Sequence, residues 1–103
     1  MKYLVTESQA HRVAIKWLNT DFGDLKPLEL PKYPGQIFYM KEGRKRPIFE
    51  FRVDNNIVLF SKDEIWDHLG FYFGLTWSET RRVLKQWVGE TYGLTDIYGI
   101  GPY

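Results

Sequence analysis

Twice between residues 61 and 93 the chain repeats one helix-start signal, a hydroxyl residue followed three places later by glutamate: Ser61 with Glu64, and Thr76 with Glu79. In such a capping box the hydroxyl accepts from a first-turn N–H while the carboxylate reaches back to the N-cap N–H. Phe60 and Ile65 stand at the spacing of a hydrophobic staple across the first of these starts. Apolar residues then recur at helical period. Ile65, Trp66, Leu69 and Phe73 predict a helix over 62–73, and Val83, Leu84, Trp87 and Val88, extended by Thr80 and Tyr92, predict one over 77–92. Gly74 makes the turn between them. Gly93 suits a left-handed stop, after which Leu94 can pack back near Val88. Any fold of this chain has to bury two short, closely joined helical stripes.

The preceding residues supply what those stripes can pack on. A first helix is expected over 7–19, with Thr6 and Gln9 at capping-box spacing and Ala10, Val13, Ala14, Trp17 and Leu18 on one stripe. His11, Arg12 and Lys16 lie off that stripe, and residues 19–23 offer several ways to end the helix. Three prolines make 24–35 an extended connection, pinned to the body by Leu25, Leu28, Leu30 and Tyr33. Residues 36–60 then read as three strands, over 36–41, 48–53 and 57–60. The middle one places Phe49, Phe51 and Val53 on one face, with Ile48, Glu50 and Arg52 on the other. Asp54, Asn55 and Asn56 tolerate positive φ and mark a hairpin; residues 42–47 mark the other turn. The segment 94–103 is too apolar for a solvated tail and should dock on the body or on a second copy. The expected architecture is one α+β domain spanning 1–103 in the order α-β-β-β-α-α, its helices packed with one face of a three-stranded antiparallel meander.

Composition narrows the chemistry. The 103 residues are 44% apolar and 17% aromatic, enough for a real core in one domain. Without cysteine there is no disulfide framework, thiolate metal site or cysteine nucleophile, which fits a reducing compartment. The N-terminal residues turn polar too soon for a signal peptide, and no run approaches membrane-spanning length. A soluble, cytoplasmic protein without a membrane partner is expected. A net charge of +1 produces no strong global field, so any nucleic-acid contact needs a local patch.

Catalytic signals are missing. The two histidines, His11 and His68, fall on separate helices, and no phosphate-binding glycine fingerprint, nucleophile elbow or zinc-peptidase motif occurs. Glu64 with His68, and Asp63 with Asp67, share i,i+4 spacing, but acids in a first helical turn suit the cap and the helix dipole. No enzyme activity, metal or cofactor is expected.

Across residues 65–88 the spacing resembles the helix-turn-helix of DNA-binding proteins. That pattern has a small residue on the first helix, a glycine turn four places later, an apolar residue after it and another on the second helix. Gly70, Gly74, Leu75 and Val83 fill these roles, with Leu69 and Phe73 as further buried positions. Thr80 departs from the usual aliphatic residue, residues 71–73 are bulky, and the element order differs from that of common winged helices.

The resemblance implies duplex DNA as a partner, with the helix over 77–92 entering the major groove. Opposite its apolar stripe lie Ser78, Arg82 and Lys85, with Arg81 on the flank. Arg44, Lys45 and Arg46, with Arg52 on the next strand, would meet phosphates much as a wing does. Each set also has a plainer reading, a solvated helix face and a charged hairpin tip that discourages edge pairing. Phe38, Tyr39, Phe49 and Phe51 could stack single-stranded bases, but at strand spacing aromatics more often form core. The competing expectation is an interaction or assembly module with an aromatic surface, a dimer formed through aromatic side chains or the 95–103 segment. One contiguous basic face joining 77–92 to 44–46 would favour the first; an exposed aromatic patch would favour the second.

Overall fold

The computed structural model describes residues 7–103; the expected cap at Thr6 lies outside them. Helices and a five-stranded mixed sheet form a single small α+β domain. In chain order the elements are α1 (Glu7–Phe22), β1 (Lys26–Glu29), β2 (Gln36–Met40), β3 (Phe49–Arg52) and β4 (Ile57–Phe60). A wide π-helical turn (Lys62–Trp66) then runs into α2 (Asp67–Phe73), followed by α3 (Trp77–Tyr92) and β5 (Gly99–Pro102).

The sheet corrects the expected meander on both sides. β2, β3 and β4 do pair antiparallel in sequence, but β1 adds an antiparallel strand at one edge and β5 a parallel strand at the other. The connection expected to be merely extended therefore contains a strand, with Lys26 opposite Met40 and Glu29 opposite Ile37. Pro27 is tolerated there because an edge strand needs ladder N–H groups on one side only. Leu25 is buried, whereas Leu28, Leu30 and Tyr33 remain more than a third exposed and do not pin the segment as expected. The segment expected to dock does so within the same chain, by pairing with β4.

Register decides which side chains meet the helices. Tyr39, Phe49 and Phe60 form one cross-strand row, and Ile37, Phe51, Val58 and Ile100 form the next. Phe49 and Phe60 each lie against Trp87 of α3, with ring centroids 5.9 and 6.3 Å apart. Tyr39 meets Tyr92 at 5.1 Å. α3 thus crosses the sheet diagonally, its C-terminal end over β2 and its N-terminal half reaching the β5 edge. β3 is shorter than expected: Val53 is 44% exposed beyond its end, while Ile48 before it is buried.

The helices differ from expectation where tertiary contacts outweigh local signals. α1 continues past the stop signals at residue 19 to Phe22, because the Asn19 side chain accepts from Trp87 Nε1 at 2.9 Å and Thr91 Oγ1 at 3.1 Å. Its buried line is Ala14, Leu18 and Phe22, one residue every turn or so, which leaves Val13 55% exposed. The Thr76 capping box forms in both halves, at 2.9 and 3.2 Å, and holds the Glu79 carboxyl below its ordinary pKa. At Ser61 only half forms. Its hydroxyl accepts from the Glu64 N–H at 3.4 Å, but its own N–H donates to the Ile48 carbonyl at 2.8 Å. The Glu64 carboxylate is then taken by Arg44. The Ser61 carbonyl accepts from both Ile65 and Trp66, which widens this turn and lets the two adjacent side chains enter the core together.

Gly74 (φ 66°) and Gly93 (φ 71°) close α2 and α3 in the left-handed region, where a Cβ would be strained. Of the six expected core positions of α3, Thr80, Val83, Leu84, Trp87 and Val88 are buried and Tyr92 is partly so. In α2 and the turn before it, Ile65, Trp66 and Leu69 are buried and Phe73 is partly so.

Candidate functional site

α3 carries the expected basic face, and the fold gives it an opposing wall. Because the helix overhangs the β5 edge, Ser78, Arg81, Arg82 and Lys85 line one side of a surface cleft of ≈ 200 Å³. The other side is residues 97–100, the approach to β5 and its first half. Ile97 is buried and anchors this wall, and the Tyr98 N–H donates to the Asn56 carbonyl at 2.7 Å. The Tyr98 ring projects outward and is 86% exposed. Gly99 and Ile100 complete the wall where β5 lies beside Ile57 and Val58 of β4.

Charge in the cleft is one-sided. All four α3 residues lining it are exposed, and no ion pair holds Arg81 or Lys85 among the described residues. Glu79 is occupied by the cap and Glu90 by Gln86 at 3.2 Å. An anion entering the cleft would relieve the like-charge pair of Arg81 and Lys85, one turn apart on the same helix. The arrangement can hold a phosphate or carboxylate by charge-assisted hydrogen bonds and can present an aromatic face beside it.

The other sequence-selected cations lie elsewhere. Arg44, Lys45 and Arg46 occupy the β2–β3 loop, with Arg44 in an ion pair with Glu64. Tyr103, just beyond β5, donates to the Pro47 carbonyl at 2.7 Å, and burial raises its pKa. Nearby Glu50 and Glu64 push in the same direction and Arg46 opposes them. The loop therefore sits at the end of β5, and the α3 cations sit at its start. Arg52 turns to Glu50 at 3.2 Å within β3. Residues 44–46 are not among those that line the cleft beside α3.

The turn between α2 and α3 brings a different surface together. Phe71, Tyr72 and Trp77 are 85%, 70% and 58% exposed. Phe71 and Trp77 share a surface hollow, the Phe71 and Tyr72 rings are 5.4 Å apart, and Trp77 lies 4.7 Å from Trp66. The turn folds back until the Leu75 carbonyl oxygen lies 3.6 Å from where a Cβ on Gly70 would stand, an ordinary contact that an alanine there would also accept.

Phe49 and Tyr39 are core, which removes them from a stacking platform. Phe51 is half-buried in the helix-facing row, and Phe38 is half-buried on the other face, edge-on to Tyr33 at 5.9 Å. The considered metal pairs are engaged otherwise. His68 stacks on Trp17 at 4.1 Å, Glu64 pairs with Arg44, and Asp67 with Lys62 at 2.8 Å. No cluster of three metal-ligating side chains occurs among the described residues, and none of their helices is long and apolar enough to cross a membrane.

Sequence reasoning did not place Tyr98 beside the α3 cations, where it lines the cleft. Its signal was an aromatic between an apolar anchor and a glycine, in a segment already expected to dock. Comparison of the chain with protein-family models, curated proteins and solved structures finds no match. The functional reading therefore rests on the geometry of this α+β domain.

Proposed function

We propose that this protein binds nucleic acid, holding the sugar-phosphate backbone in the cleft between α3 and β5. The observation that supports this reading is the convergence of Ser78, Arg81, Arg82 and Lys85 on one concave surface. Near-neutral net charge makes the binding local rather than a field effect of the whole molecule. Arg44, Lys45 and Arg46 belong to a second surface at the far end of β5, where Lys45 and Arg46 can meet an additional phosphate.

The test is a salt titration of oligonucleotide binding. Three phosphate contacts give a log–log slope of about −2 to −3. Changing Arg81 and Lys85 together to alanine should flatten that slope by roughly 1.5 to 2 and weaken all sequences alike. Unchanged binding by this variant would remove α3 from the interface.

The exposed Phe71, Tyr72 and Trp77 favour a second reading, assembly of two copies through the α2–α3 turn. On this reading sedimentation at micromolar concentration gives a dimer mass, and Phe71→Ser with Trp77→Ser gives a monomer with unchanged circular dichroism. A monomer mass for the unaltered chain rejects it.

A further inference from the structure

Resting on the nucleic-acid reading, we infer that the cleft selects single strands, with one unpaired base stacked on Tyr98 while Arg81 and Lys85 hold the adjoining phosphates. Three features lead there. A helix that reads duplex DNA must enter a groove about 12 Å wide, free of the rest of the protein on its reading side. Here residues 97–100 of the same chain flank the reading side of α3 as the second wall of the cleft, and a duplex would have to admit that wall into the groove beside the helix.

The second feature is size. At ≈ 200 Å³ the cleft is smaller than the roughly 300 Å³ at which drug-sized sites begin. It has room for a sugar-phosphate group but not for a base pair, and the base is left at its mouth beside Tyr98. The third is the ring itself. Tyr98 is 86% exposed, and among the described residues no other ring packs on it. Its backbone is nevertheless fixed, by the bond to Asn56, by buried Ile97 before it and by β5 after it. A large ring kept in water on a rigid support is what base stacking requires, since every base has a π-face and little ordering entropy is left to lose. This lies outside the helix-turn-helix expectation, in which bases are read by α3 alone.

Fluorescence anisotropy tests it with four labelled probes at low salt: a twelve-nucleotide deoxythymidine strand, the matching uridine strand, a twelve-base-pair duplex and an abasic deoxyribose-phosphate strand. One of the two single strands should bind at least tenfold tighter than the duplex, and which of them leads identifies DNA or RNA as the source. Tyr98→Ala should weaken that strand roughly 5- to 150-fold, the range of one lost base stack. It should leave the abasic strand unchanged, and Tyr98→Phe should restore binding. The abasic probe keeps the test valid on the unaltered protein, because lost stacking then comes from the ligand. Duplex binding equal to or tighter than both single strands, or indifference to Tyr98→Ala, overturns this inference and leaves the nucleic-acid reading standing. Failure of all four probes to bind overturns both.

Discussion

Trp87→Ala is expected to cost about 3–5 kcal/mol, close to the whole stability of a marginal domain of this size. Trp87 is fully buried where α3 crosses the sheet. Its ring touches Phe49, Phe60 and Tyr92, which joins β3 and β4 to the C-terminal turn of α3. Its Nε1–H donates to Asn19 at 2.9 Å and so ties α1 to the same point. Truncation leaves a cavity bordered by three rings and an Asn19 oxygen without that donor. Guanidinium melts should show the loss as a lower midpoint at similar slope, and the thermal midpoint should fall by at least roughly 12 °C. Trp87→Phe, which keeps a ring but not the donor, should lose much less. A loss below about 1 kcal/mol for Trp87→Ala would mean that α3 is not the centre of the core.

What could be read from the sequence follows from how local each signal is. α3 was legible because its cap, stripe and glycine stop are all short-range, and five of its six stripe residues are buried. Of the helix expected over 62–73 the stripe and the Gly74 stop were legible but not the start, where Ser61 forms half a box and 62–66 becomes a π-helical turn. The hairpin at residues 54–56 was legible for the same reason, Asn56 taking a φ of 53°. β1 and β5 were not. Lys26–Glu29 contains a proline, and Gly99–Pro102 contains two glycines and a proline, compositions of low strand propensity. These strands exist because long-range partners supply the ladder, and β5 pairs with β4 only after two helices have intervened.

The same distinction applies to the site. The cations of α3 follow from helical periodicity, so Ser78, Arg81, Arg82 and Lys85 were found together and the structure keeps them together. Whether Arg44, Lys45 and Arg46 would join them depended on where β5 ran, which nothing local encodes. Arg44 was also assigned to a ligand without its intramolecular partner. Glu64 looked reserved for a capping box, but Ser61 gives its N–H to Ile48 and leaves that carboxylate to Arg44.

Ending the chain after Asp96 is expected to abolish cooperative folding. The deletion removes Ile97, buried and worth about 1.5–3 kcal/mol, and half-buried Ile100 from the row it shares with Val58. It also removes the parallel ladder and the bonds from Tyr103 to Phe60 and Pro47, each worth about 0.5–1.5 kcal/mol. The total, roughly 5 kcal/mol or more, matches the lower end of domain stability. It falls beside β4, whose Val58 and Phe60 are fully buried in the intact molecule. The truncated chain should lose near-ultraviolet circular dichroism and a sharp melting transition. Ile97→Asn, which keeps the backbone but puts an amide at a buried apolar position, should reproduce part of the loss. A truncated chain that still melted cooperatively within a few degrees of the full one would show that the four antiparallel strands suffice. β5 would then be an accessory wall for the cleft, and deletion would abolish oligonucleotide binding without unfolding the body.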